Sequence, residues 1–113
     1  MHELSLCLET IELIERQAAK HNFRRVKQLW IEIGALSCVE PESIRFGFET
    51  SARGTIAEGC KLHLKQTLGQ ATCLSCEREV TVDRRGQCCP HCQSFRLHVT
   101  GGNTMRMLEL EVE

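Results

Sequence analysis

The sequence predicts an α+β fold: a small three-stranded sheet covered on one face by two helices, with an inserted zinc-ribbon-like four-cysteine module. Segments 26–33, 60–65 and 105–113 alternate apolar and charged residues, as strands with one buried face do. Segments 4–20 and 41–54 have the spacing and end signals of helices. Five of the eight cysteines fall within twenty consecutive residues, which marks a separate, metal-dependent module.

The first helix is predicted from apolar residues that recur at helical spacing. Its expected core face carries Leu4, Cys7, Leu8, Ile11, Ile14 and Ala18. Leu6 and Leu13 fall on the opposite face. They are either ordinary surface leucines or a small patch for a partner protein.

The second helix and the strands follow from turn and alternation signals. Pro41 suits the first turn of a helix, and Gly54 suits its end. Each predicted strand has one apolar and one charged face, so the sheet is covered on one side only. The last strand follows the cysteine-rich segment yet matches the earlier strands. We therefore predict a discontinuous domain, 1–69 plus 103–113, and a zinc-binding domain, 70–102.

Composition narrows the function classes. The chain has 113 residues, with 14 basic and 15 acidic side chains and a formal net charge of -1. This balance argues against non-specific binding to nucleic acid or membrane surfaces. There is no long apolar run, and the first nine residues are acidic rather than basic, so neither a membrane span nor a signal peptide is predicted. We expect a cytoplasmic protein, whose cysteines serve metal or thiol chemistry rather than disulfides.

Two Cys-x-x-Cys pairs form the strongest motif. Cys73 and Cys76 are followed, after twelve residues, by Cys89 and Cys92. Each pair can direct two thiolates at one point, and four soft thiolates select zinc. A closed four-thiolate site leaves no position for substrate, so the zinc is expected to be structural.

Other interpretations of these residues remain open. Cys88 lacks the pair spacing and is expected to be a spare thiol, and His91 and His98 are expected to be surface residues. A redox motif is disfavoured by the second matched pair. A nucleic-acid-binding ribbon is disfavoured because 71–102 holds only four basic residues, three acidic ones and a single aromatic. Cys7, Cys38 and Cys60 are expected to be small buried hydrophobes.

The N-terminus offers a second candidate metal site. A bulky residue at position 2, His2, favours retention of Met1. The α-amine, the His2 amide and imidazole, and the Glu3 amide could then supply four nitrogens in a plane. Such ligation suits Ni²⁺ or Cu²⁺ rather than Zn²⁺. The ordinary alternative is a frayed polar end, with Glu3 placed favourably at the positive end of a helix.

Taken together, these residues resemble the HypA/HybF family of hydrogenase maturation nickel metallochaperones, over nearly the full length. The resemblance rests on the opening Met-His-Glu-Leu-Ser-Leu, on 34–42 followed by Phe46 and Phe48, on both Cys-x-x-Cys pairs, and on the acidic last strand.

The resemblance implies specific sites and partners. It implies nickel bound by Met1, His2 and Glu3, and structural zinc bound by Cys73, Cys76, Cys89 and Cys92. It implies two partners, the GTPase nickel-maturation factor and the precursor of the [NiFe] hydrogenase large subunit, and no catalysis. The alternative is a zinc-stabilised adaptor that carries no nickel.

Overall fold

The computed structural model describes residues 2–113, with side chains from residue 3 onward. Its elements, in chain order, are α1 (His2–His21), β1 (Val26–Gly34), α2 (Pro41–Ala52), β2 (Lys61–Thr67), β3 (Gly69–Cys73), β4 (Glu79–Val82), β5 (Leu97–Gly101) and β6 (Met105–Val112).

The chain divides into two compact units. The first unit contains the chain up to Ile31, Val39–Lys65 and Met107–Glu113. The second unit contains Glu32–Cys38 and Gln66–Arg106. The expected division of the sequence into independent domains stays a prediction.

The core of the first unit is built from both helices and the strands. Its buried apolar side chains are Cys7, Ile11, Ile14, Val26, Leu29, Ile31, Ile44, Phe48, Ala52, Ala57 and Leu62. The two helices pack on each other, and a Cβ added to Gly47 of α2 would lie 3.3 Å from the Cys7 sulfur of α1. A small residue at position 47 therefore allows this close approach.

The predicted core face of α1 is only partly right. Cys7, Ile11 and Ile14 are buried, but Leu4 and Leu8 are 38% and 49% exposed. The buried residues follow i, i+4 and i+7 positions, which lie on one face of the helix, whereas Leu4 and Leu8 are more exposed. Leu6 and Leu13, expected on the opposite surface, are half-buried.

The ends of α2 agree with the sequence signals. Glu40 precedes the helix in an extended conformation, and its side chain accepts a hydrogen bond from the Glu42 backbone N–H at 3.5 Å. This satisfies one donor that the helix itself cannot pair. Pro41 occupies the first turn, and Gly54 follows the helix with a φ of +78°.

The first sheet has the strand order β2-β1-β6. The last strand thus lies beside β1, as its alternation predicted. In β1, Leu29, Ile31 and Ile33 are buried while Trp30 and Glu32 are partly exposed, which gives the sheet one buried face. Two helices, this sheet and a clustered set of four cysteines confirm the predicted fold class.

A second sheet, with strand order β4-β3-β5, was not predicted. Both pairings are antiparallel, and Ala71 of β3 lies opposite Val80 of β4 and Val99 of β5. Gly34 and Gly102 of this unit approach each other closely, because a Cβ on Gly34 would overlap the backbone of Gly102.

Among residues 2–113, no helix is long and apolar enough to cross a membrane.

Candidate metal centre

The two Cys-x-x-Cys segments form two matching turns. In the first, the Cys73 N–H donates to the Arg78 carbonyl at 2.8 Å, and the Glu77 N–H donates to the Cys73 carbonyl at 2.8 Å. In the second, the Cys89 N–H donates to the Ser94 carbonyl at 2.7 Å, and the Gln93 N–H donates to the Cys89 carbonyl at 2.9 Å.

Both turns reverse through a residue in the left-handed region. Glu77 and Gln93 each have a φ of +62° and each directly follows the second cysteine of its pair. This conformation is uncommon for residues with a Cβ. Each turn accordingly presents its two sulfurs on the same side.

The turns bring four sulfur atoms together. The sulfurs of Cys73, Cys76, Cys89 and Cys92 all lie within 4.8 Å of one another. Two of these separations are 3.6 Å, from Cys73 to Cys92, and 3.8 Å, from Cys76 to Cys89. A tetrahedral zinc with bonds of about 2.3 Å places its sulfurs about 3.8 Å apart. The cluster therefore fits a structural zinc ion.

Backbone N–H groups favour the thiolate form that zinc requires. The Cys76 N–H donates to the Cys73 sulfur at 3.5 Å, and this contact lowers the pKa of Cys73 to about 6. The pKa of Cys89 is also lowered, first by the N–H of Cys92 and also by that of His91, which lies 3.4 Å from the sulfur. These contacts favour the thiolate form at Cys73 and at Cys89.

The apolar core around the cluster is small. It consists of Leu36, Ala71, Val80 and Val82 together with Cys73 and Cys89, and Cys76, Leu97 and Val99 pack against it. So few apolar side chains cannot stabilise a sheet of this size alone. Zinc binding would supply the missing folding free energy.

Neighbouring candidate ligands lie outside the cluster. Cys88 is half-buried, and it does not belong to the four-sulfur group found among residues 2–113. His91 is exposed, and its Nδ1 accepts a hydrogen bond from the Arg78 guanidinium at 3.0 Å. His98 is exposed on β5. All three positions are therefore consistent with the roles expected for them.

The three scattered cysteines differ in environment. Cys7 is buried and its S–H donates to the Ile44 carbonyl at 3.5 Å; burial, then the nearby Glu3 carboxylate, raise its pKa to about 11. Cys60 is half-buried, and burial raises its pKa. The expectation for Cys38 is wrong, because it is exposed, in a turn with a φ of +61°.

The N-terminal candidate site falls partly outside the described residues. Met1 and the side chain of His2 lie outside them, so the predicted nickel ligation there stays a prediction. α1 begins at His2, and the Glu3 side chain is half-buried. The Glu3 carboxylate accepts a hydrogen bond from the Glu40 backbone N–H at 3.4 Å, immediately before α2.

A polar cluster across the first sheet was missed by the sequence reasoning. The Trp30 ring stacks on His63, with centroids 4.8 Å apart and an angle of 12° between the planes. His63 Nε2 lies 2.6 Å from the Gln28 side-chain oxygen, and the Gln28 amide donates to Glu111 at 3.1 Å. The alternation of the strands placed these side chains on one face, but only the strand pairing shows which ones touch.

Comparisons with known proteins agree with this architecture. Residues 1–112 match the family model described as "Hydrogenase/urease nickel incorporation, metallochaperone, hypA". The hydrogenase maturation factor HypA of Azotobacter chroococcum is 48% identical over 113 residues, and HybF of Salmonella typhimurium is 45% identical over 113 residues. Each alignment covers 100% of both chains.

Solved structures show the same fold. A solution structure of a HypA protein superposes with a TM-score of 0.73 and 25% identity, covering 100% of this chain and 97% of that one. The solution structure of the Ni metallochaperone HypA from Helicobacter pylori gives a TM-score of 0.71 at 24% identity, covering 97% and 96%. On the full-length family match and these whole-chain relatives, the chain belongs to the HypA/HybF family of hydrogenase maturation factors.

Proposed function

We propose that this protein is a nickel metallochaperone, which binds Ni²⁺ at its N-terminus and delivers it during maturation of [NiFe] hydrogenase. The observation that carries this proposal is the match of residues 1–112 to a nickel-incorporation family. The whole-chain relatives named as hydrogenase maturation factors support the same process. Nickel is the cargo here, and the protein gives it up in each cycle.

The nickel ligands are the Met1 amine, the His2 amide and imidazole, and the Glu3 amide. Two described features support ligation through the backbone. First, α1 begins at His2, and the first N–H groups of a helix have no partner within the helix. Second, the Glu3 carboxylate accepts a hydrogen bond from the Glu40 N–H at 3.4 Å, so this side chain contacts the start of α2, and the proposal assigns the backbone amide of Glu3 to nickel. Planar nitrogen ligation then selects nickel over zinc.

The zinc ligands are Cys73, Cys76, Cys89 and Cys92. Their clustered sulfurs and the two matched turns support this assignment. The zinc stabilises the second unit and, with all four positions filled by thiolates, has no site for substrate. The two metals therefore have separate roles, one structural and one transported.

The same proposal extends to partners and location. The partners are the GTPase nickel-maturation factor and the precursor of the hydrogenase large subunit, and the protein works in the cytoplasm without catalysing a reaction itself. The maturation-factor family supports this reading, because metal delivery requires a donor and a recipient rather than an active site.

Nickel titration of zinc-loaded protein with its authentic N-terminus tests the proposal. We expect one Ni²⁺ per chain, with the absorption bands of a planar nitrogen site. His2→Ala should abolish that site, and so should acetylation of the Met1 amine, which removes this ligand without changing any side chain. The matched control is His98→Ala, since His98 is exposed on β5. Binding should weaken as pH falls, because protons compete for the nitrogens.

Two outcomes would contradict the proposal. Unchanged nickel stoichiometry and affinity in His2→Ala would remove the N-terminal site. Uptake of zinc alone, with no nickel after loading, would favour the adaptor that carries no nickel. Zinc content measured in the same samples separates loss of the nickel site from loss of folding.

A further inference from the structure

The second unit contains a cleft that the metal sites do not explain. Its volume is about 230 Å³, and its inner wall is apolar, formed in part by Leu36, Val82 and Leu97. These side chains also border the core beside the cysteine cluster. The cleft therefore lies against the same core that contains Cys73 and Cys89.

The rim of the cleft carries one aromatic and two cationic side chains. Phe95 is 75% exposed, the largest fraction among the exposed large hydrophobics of the described chain. Arg84 and Arg85 lie beside it, and both are exposed. An exposed phenylalanine beside arginines has the composition of a protein interface, because aromatic residues and arginine are both enriched in interface cores.

The arginines are available for an external anion. Among residues 2–113, neither Arg84 nor Arg85 forms an ion pair, although Asp83 is their neighbour in sequence. The Arg85 Nε donates to the Leu36 carbonyl at 2.9 Å, which fixes this guanidinium at the rim. The remaining guanidinium donors suit a carboxylate, which arginine can bind in a bidentate way.

The turn that carries the arginines is itself held in place. The Asp83 N–H donates to the Gln87 side-chain oxygen at 2.9 Å, and Gly86 adopts a φ of +83° between them. A side-chain hydrogen bond across the turn limits its motion. Pre-organisation of this kind lowers the entropic cost of binding a partner.

Size and charge indicate the class of ligand. Small-molecule sites usually occupy about 300–1,000 Å³, so a cleft of 230 Å³ fits one large apolar side chain rather than a cofactor. A nucleic-acid surface needs several phosphate contacts and stacking aromatics, whereas this rim offers two arginines and one phenylalanine.

We propose that this cleft binds an extended, acidic segment of a partner protein. One large apolar side chain of the segment enters the cleft beside Phe95, and an adjacent carboxylate contacts Arg84 and Arg85. This goes beyond nickel transport, because no nickel ligand takes part. Failure of the nickel titration would therefore leave this docking surface untouched, and the reverse also holds.

A peptide titration tests the surface directly. The probe is the capped peptide Gly-Leu-Glu-Leu-Glu-Gly, added to zinc-loaded, ¹⁵N-labelled full-length protein and followed by amide chemical shifts. We expect saturable shifts that centre on Arg84, Arg85 and Phe95. Exchanging the probe's glutamates for glutamine, or its leucines for serine, should weaken binding about tenfold or more.

Variants of the protein locate the site. Arg84→Ala and Phe95→Ser alter exposed side chains and should each weaken binding about tenfold while zinc content stays at one per chain. The matched controls are Arg96→Ala and Leu74→Ser, which change an exposed arginine and an exposed leucine of the same unit outside the cleft lining. These controls should bind the probe as the unmodified protein does.

Three results would overturn the proposal. One is the absence of saturable shifts at millimolar peptide. Another is an equal effect of the control and cleft variants. The third is binding of a short oligo(dT) at these residues in preference to the peptide, which would identify a nucleic-acid surface instead.

Discussion

Replacing Gly34 by alanine tests the close approach of Gly34 to the backbone of Gly102 in the second unit. A Cβ at this position would overlap the carbonyl of Gly102. That carbonyl accepts the Leu36 N–H at 2.8 Å, and the Gly34 N–H donates to the Thr104 carbonyl at 2.9 Å. Backbone atoms cannot rotate away as a side chain can, so the strand has to shift and both hydrogen bonds lengthen.

The expected loss is about 2–4 kcal/mol in the free energy of unfolding. It combines the cost of forcing a methyl group into a filled space with weakening of two backbone hydrogen bonds. Urea denaturation at fixed excess zinc, followed by circular dichroism, measures it. Zinc concentration has to be held constant, because a ligand that binds the folded state shifts the transition.

Gly101→Ala is the matched control for this prediction. A Cβ on Gly101 would lie 3.5 Å from the Gln70 Cβ, an ordinary contact, and Gly101 has no left-handed φ. We expect its stability to stay within about 0.5 kcal/mol of the unmodified protein. The reasoning is refuted if Gly34→Ala is equally neutral, or if Gly101→Ala loses as much stability.

Three further predictions concern the cysteines. Cys88→Ser should retain one zinc per chain by mass spectrometry, whereas Cys89→Ser should lose it. The reason is that, of these two neighbouring cysteines, Cys89 belongs to the four-sulfur cluster and Cys88 does not. The opposite result would make Cys88 the ligand. Iodoacetamide at pH 8 should modify exposed Cys38 and leave Cys7 unmodified, because a pKa of about 11 leaves about one Cys7 thiol in a thousand ionised. Equal labelling of Cys7 and Cys38 at pH 8 would contradict the raised pKa of Cys7. Since burial favours the neutral thiol, Cys7 should contribute its full stability to the folded state below about pH 9 and lose it as pH rises towards 11, which urea denaturation at increasing pH measures.

Local signals predicted the first sheet and both helices well. Strand alternation placed β1, β2 and β6 correctly, and Pro41 with Gly54 bracketed α2. These signals succeed because they report the period of the backbone and the needs of helix ends, which depend on nearby residues alone. The spacing of the two cysteine pairs predicted the cluster for the same reason.

Features that depend on packing were missed or misassigned. The short strands β3, β4 and β5 were missed, because the alternation of Val80 with Val82 and of Leu97 with Val99 covers too few residues to identify a strand. Leu4 and Leu8 have helical spacing with the core residues, yet α2 covers only the neighbouring seam. Cys38 looked apolar in sequence but lies in an exposed turn.

The sequence by itself determined the family, the fold class and the four cysteines that a zinc ion would require, because spacing along the chain fixes which atoms a tight turn can bring together. Only the tertiary structure decided that Phe95 is exposed beside Arg84 and Arg85, and that Trp30 stacks on His63. Such contacts join residues far apart in the chain, and their formation depends on how the strands pair rather than on any local pattern.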